Sequence, residues 1–248
     1  MASQWKMTAL GALGGATIAV AIVFGAALGG WMPVSGPQIH AYLMDHPGLV
    51  VDMMAKAQAE QDAETARAQK EALASAGQKA FFDPRIAFVT GPANAKRTLV
   101  EFFDYNCPYC RASLPELKRY YDAHKMDTRF AFIEFPIKGK DSIVAARASL
   151  AARKQPDKFL AFHFALMSRE ELITEPVVWE VAAKVGLDLP KLKADMADKA
   201  IDKSIKIAKD LAHRVQIDGT PTFLINGKLR PGMLNDGELK ELMQAKAA

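Results

Sequence analysis

Apolar and polar positions follow three different patterns along this chain. Residues 9–32 (ALGALGGATIAVAIVFGAALGGWM) are continuously apolar, and no Asp, Glu, Lys or Arg occurs from position 7 to position 39. As a helix, such a stretch is long enough to cross a bilayer. A short PVSGPQ spacer follows, and residues 39 to about 75 then carry helical signals interrupted once at DHPG, where Pro47 suits a first helical turn. Apolar positions at Leu49, Val50, Met53, Met54 and Ala57 give way to an Ala/Glu/Gln/Lys run with little apolar face of its own. That pattern fits a solvated arm or one helix of an assembly.

From FFDP onward the pattern changes to short apolar runs. Residues 86–89 and 99–103 read as strands joined by the turn-rich connector TGPANAK, and RASLPELKRYYDAH reads as an amphipathic helix. TRFAFIEFPI is a third strand, with Phe130, Phe132 and Ile133 as candidate core residues. Residues from about 141 to 215 are helical segments broken by Pro or Gly. Strand signals return in TFLI and KLRPG, with a hairpin turn at Asn226 and Gly227, before a final helix from about Asp236. The order predicts an α/β fold with a helical insert. Three parts are expected: an anchor or signal segment at 1–35, a helical arm at 36–80, and an α/β domain at 81–248 with its insert at about 141–215.

Charge adds an orientation. The 32 basic and 28 acidic residues are interspersed, so the formal charge of +4 forms no block of the kind that binds nucleic acid. Lys6 precedes the apolar stretch and the next Lys or Arg is Lys56, which places the remainder of the chain outside the cytoplasm. A cleaved signal peptide is the competing reading, since FGAALGG offers small residues, although a signal's apolar core is usually about 7 to 15 residues long. Gly11 with Gly15, and Gly25 with Gly29, have the GxxxG spacing of membrane helices that associate closely.

Export changes what the cysteines mean. The chain has 2, Cys107 and Cys110, both within FFDYNCPYCRA. Outside the cytoplasm thiols meet oxidants, yet a bridge across two intervening residues constrains the unfolded chain very little. The spacing therefore favours redox chemistry. A thiol attacks a disulfide as its thiolate, and unpaired N–H groups at a helix start stabilise that form. Following a strand and opening a helix, Cys107 is expected at the exposed N-cap side as nucleophile, with Cys110 one turn in as the resolving thiol. Closed structural zinc would need two further ligands, and the 5 histidines include no HxxxH pair. A copper-binding or relay protein using two thiolates for Cu(I) is the alternative from another class. Glu101 is a further candidate: a carboxylate in an apolar strand is costly unless it has a task or a partner, or sits partly exposed at a strand edge.

VEFFDYNCPYC and the later GTPTFLING resemble the two halves of the active site in thioredoxin-fold proteins, specifically the DsbA-type exported thiol oxidoreductases with a helical insertion. The resemblance runs from about residue 81 to the C-terminus. It implies a thioredoxin fold, a cis Pro221 preceded by Thr220 lying against the CxxC and contacting substrate, and Glu101 as the buried acid beneath the disulfide that accepts and relays the proton of Cys110. The intervening Pro108 and Tyr109 would also face substrate. No organic cofactor is implied. Partners would be cysteine-containing exported proteins and a membrane redox partner that resets the pair, with the domain facing the periplasm from a bacterial inner membrane. The arm, IHAYLMDHPGLVVDMMAKAQ followed by FFDP, is similar to that of the copper-sensitivity suppressor (ScsC-like) subfamily, some of which form trimers through it and act as isomerases. The Pro-Tyr dipeptide departs from the Pro-His of strong oxidants, so oxidase and isomerase both remain open.

Overall fold

The computed structural model describes residues 35–235 and 237–244. The apolar stretch at 9–32 and Asp236 lie outside those residues; among the described residues no helix is long and apolar enough to cross a membrane. Contacts divide the chain into a unit ending at Glu64 and a unit spanning Thr65–Ala248. The first contains α1 (Gly36–Asp45) and most of α2 (Pro47–Ala76), and no residue of either helix is buried. Pro47 opens α2, as its restricted backbone favours.

In the second unit a 3-10 turn (Gln78–Phe82) leads to β1 (Ala87–Thr90) and β2 (Arg97–Phe103). The helix α3 (Pro108–His124) and strand β3 (Thr128–Glu134) follow. The insert comprises α4 (Lys140–Ala152), α5 (Pro156–Met167), α6 (Glu175–Lys184), α7 (Leu189–Met196) and α8 (Lys199–Arg214). The hairpin of β4 (Thr222–Ile225) and β5 (Lys228–Pro231) and the helix α9 (Glu238–Gln244) complete it. The helix opens at Pro108 with Cys107 as its N-cap, as the CPYC placement predicts and three residues ahead of the amphipathic run, because the fixed φ of proline suits a first turn whose N–H would be unpaired anyway. One boundary differs from the sequence pattern. The third strand ends at Glu134, where the ladder with β2 runs out at Phe103.

The five strands lie in the order β1-β3-β2-β4-β5, with β2 and β3 parallel and the other neighbours antiparallel. A central strand covered on both faces reads as a continuous apolar run, and LVEFF is one but for Glu101. Leu99 and Phe103 join the larger core with α3 and much of the insert, while Val100 and Phe102 join a second core with Phe81, Phe82, Ala208 and Leu211. Phe130, Phe132 and Ile133 are fully buried. Asn226 (φ 49°) and Gly227 (φ 86°) form the expected hairpin turn, and Asn226 Oδ1 accepts from Thr98 N at 3.0 Å, tying the hairpin to β2.

Candidate active site

Both cysteines are free thiols at the C-terminal end of the central strand. Cys107 is the N-cap of α3, with extended φ and ψ of −87° and 117°, and Cys110 lies in the first turn. The site sequence bends sharply because Asp104 organises it. The Asp104 carbonyl accepts from Cys107 N at 3.0 Å, its Oδ1 from Asn106 N at 2.8 Å, and its Oδ2 from Ile137 N and Lys138 N at 2.8 and 2.9 Å. A carboxylate with its lone pairs filled by backbone N–H groups can be buried at small cost.

Cys107 is not exposed, contrary to the expectation from its N-cap position. Its relative exposure is 0%, because the chain before β4 closes over it and Sγ donates to the Thr220 carbonyl at 3.0 Å. Thr220–Pro221 is a cis peptide bond, so the two halves read from sequence do meet. The Cys107 pKa is lowered to about 5, chiefly by a hydrogen bond from Cys110, against the opposing effect of burial. Further hydrogen bonds come from Thr220 and from the backbone N–H groups of Cys110 and Tyr109. A carbonyl cannot donate to a thiolate; the Thr220 hydroxyl, buried without a partner, is the group able to do so once the thiol ionises. Cys110 goes the other way: burial, then its hydrogen bond to Cys107 and the nearby charges of Glu101 and Cys107, hold its pKa well above the ordinary value. Pro108 and Tyr109 are exposed beside the pair, Tyr109 at 61%.

Glu101 is buried on β2, hydrogen-bonded in register between Phe132 and Phe223, rather than at a strand edge. Its Oε2 has no partner, and burial followed by the Cys107 charge raises its pKa to about 8. Glu134, at the end of β3, is also buried but differently supplied: Ser149 Oγ donates to its Oε1 at 2.7 Å and Arg153 pairs with its Oε2. The Tyr105 hydroxyl lies 2.8 Å from Ser149 Oγ and 2.9 Å from His163 Nδ1. With the Ser149 proton on Glu134, Tyr105 donates to Ser149 and the His163 Nδ1–H donates to Tyr105. Burial and the Arg153 charge lower the His163 pKa to about 3, so the ring is neutral. Nothing in the sequence marked Asp104, Tyr105 or His163 as site-forming, since Ile137 and Lys138 lie far from Asp104 in the chain, and Tyr105, Ser149 and His163 lie far from one another.

A family model for the DSBA-like thioredoxin domain matches residues 98–244. A thioredoxin-like oxidoreductase from Silicibacter pomeroyi is 39% identical, with a TM-score of 0.62 over 67% of this chain and 95% of that one. A linker-deletion mutant of Proteus mirabilis ScsC is 25% identical, with a TM-score of 0.68 over 86% of this chain and 96% of that one. A protein of Bacillus anthracis described as probable disulfide bond formation protein D is 32% identical over 151 residues, 56% of this chain and 69% of its own. The chain belongs to the DSBA-like thioredoxin domain family and is a thiol-disulfide oxidoreductase.

Proposed function

We propose that the protein exchanges disulfides with cysteines of exported proteins through Cys107 and Cys110. The observation that carries this reading is the placement of the two thiols: Cys107 is the N-cap of α3 against the cis Thr220–Pro221 bond, and Cys110 lies behind it in the first turn, an arrangement that lowers the pKa of the first and raises that of the second. In the reducing direction the Cys107 thiolate attacks one sulfur of a substrate disulfide. The substrate S–S bond breaks, its second sulfur leaves as a thiolate and takes up a proton, and a mixed disulfide forms. Cys110 then loses its proton and attacks Cys107 Sγ, which releases the remaining substrate thiolate. The substrate gains two electrons and the protein holds a disulfide; the reverse sequence oxidises a substrate dithiol.

Glu101 serves the second step. While Cys107 carries its charge, Glu101 is held protonated near neutral pH, since that charge and burial both raise its pKa. In the mixed disulfide the charge is gone, the carboxyl ionises more readily, and it can take the Cys110 proton. In the reverse direction the protonated acid returns it. Thr220 and Pro221 present substrate backbone to Cys107, with Pro108 and Tyr109 facing the substrate from the helix start.

The catalytic unit acts on the periplasmic side of a bacterial inner membrane, tethered by residues 9–32, as Lys6 ahead of that stretch supports. A membrane redox partner resets the pair after each turnover. The arm self-associates, a reading supported by exposed Tyr42, Met44, Leu49, Val51, Met53 and Met54. The test is equilibration in glutathione buffers with mass-tagging of free thiols. The pair is expected to cycle between dithiol and disulfide at a defined potential within about −270 to −120 mV; failure to cycle would overturn the reading.

A further inference from the structure

The Cys107 turn is held by two segments that are distant in sequence. The Cys107 sulfur meets the Thr220 carbonyl. The residue before it, Asn106, is fastened to the loop between α5 and α6. The Asn106 amide pairs with Ile173 through both of its ends: Oδ1 accepts from Ile173 N at 2.7 Å and Nδ2 donates to Ile173 O at 3.1 Å. This copies the pairing of a neighbouring strand. Arg111, one turn into α3, completes the clamp. It donates to Asn106 Oδ1 at 3.1 Å, to the Tyr105 carbonyl at 3.0 Å, and to the Glu170 carbonyl at 2.9 Å.

Leu172 sits between the two clamped positions. Its own carbonyl accepts from Thr174 N at 3.0 Å, and Ile173 is fully buried, so the backbone on both sides of Leu172 is fixed. Yet the Leu172 side chain is 56% exposed. An exposed leucine by itself carries no information. One held rigidly by hydrogen bonds from the residue adjoining a reactive sulfur is different, because ordering it before binding removes an entropic cost at the moment a ligand arrives.

We infer that the Glu170–Ile173 segment is a wall of the substrate site, in which Leu172 selects peptides with an apolar side chain next to the reacting cysteine. Asn106 and Arg111 are its positioning residues. The occupant is an extended segment of a cysteine-containing substrate, whose sulfur engages Cys107 while a flanking side chain lies on Leu172. This rests on the exchange reading above and goes beyond it in assigning part of the helical insert to substrate choice.

The test uses the symmetrical disulfides of two peptides, Gly-Leu-Cys-Leu-Gly and Gly-Ser-Cys-Ser-Gly, reduced by the dithiol protein; each turnover yields two peptide thiols and the Cys107–Cys110 disulfide. Wild type is expected to prefer the leucine peptide in kcat/KM by about fivefold to tenfold, the range of one partly buried apolar contact. Leu172→Ser should bring the ratio close to one while the reduction potential and the pH profile of Cys107 alkylation stay at wild-type values, and Leu172→Met should restore it. Arg111→Ala, which frees the segment with Leu172 in place, should lower the ratio as well. Equal rates for the two peptides with wild type, or an unchanged ratio in Leu172→Ser, would overturn this inference alone. Absence of reaction with either peptide and with glutathione disulfide would overturn the exchange reading and this inference with it.

Discussion

At Cys107 two opposing effects act on one sulfur, and hydrogen bonding outweighs burial. The net result, a pKa of about 5, makes a direct prediction. Alkylation of Cys107 by iodoacetamide should change little between pH 8 and pH 6, whereas an ordinary thiol would slow by roughly a hundredfold. Below pH 5 the rate should fall about tenfold per pH unit. Cys110 should stay unreactive across that range, which peptide mapping after alkylation would show. Glu101 supplies a stability test with a definite sign. Its folded pKa of about 8 lies above its ordinary value of 4.5, so the folded state holds a proton that the unfolded state releases, and stability falls as pH rises through that window. Glu101→Gln removes the loss. The reduced variant should match wild type below pH 4.5 and exceed it increasingly up to pH 8, by on the order of 3 kcal/mol at pH 7, in urea titrations at stepped pH.

Among elements, the central strand and the hairpin turn were legible because local chemistry fixes them. Apart from Glu101, LVEFF is apolar on both faces, and Asn226-Gly227 accepts positive φ at both positions. The CPYC helix start was legible for the same reason, with Cys107 as N-cap and the first turn beginning at Pro108. What local pattern did not reveal were most contacts between remote segments. The resemblance placed Thr220 and Pro221 against the CxxC, and they lie there, but Cys107 was expected to be exposed and that same contact covers it. The Tyr105, Ser149, His163, Glu134 and Arg153 network joins β3, α4 and α5 to the active-site loop, and no spacing rule encodes it. Removing one member should be costly. Arg153→Met leaves the buried Glu134 carboxylate without its charge partner and should destabilise the fold by about 3–5 kcal/mol in chemical denaturation. Gly91→Ala is a second element-level test. At φ +86° an added Cβ would come 2.1 Å from the Thr128 carbonyl oxygen, where β1 approaches the start of β3. A loss of more than about 2 kcal/mol is expected.

For the whole molecule, the division at Glu64 and Thr65 predicts where the chain can be cut. Leu73, Ala76 and Ala80 pack on the second core, and Phe81 and Phe82 belong to it. A chain beginning at Thr65 should unfold with the same midpoint as one beginning at Ser35 and keep the same Cys107 alkylation profile. One beginning at Arg85 loses two buried phenylalanines and should be destabilised by several kcal/mol, on the order of 3–5 for each ring removed. The chemistry of the molecule rests on a division of labour between two thiols, and trapping measures it most directly. Cys110→Ser and Cys107→Ser proteins would each be mixed with a disulfide-bonded protein substrate and resolved on non-reducing gels. Cys110→Ser should accumulate a covalent adduct that dithiothreitol releases, and Cys107→Ser should form none. An adduct through Cys110 in the Cys107→Ser protein, or none in the Cys110→Ser protein, would contradict the account.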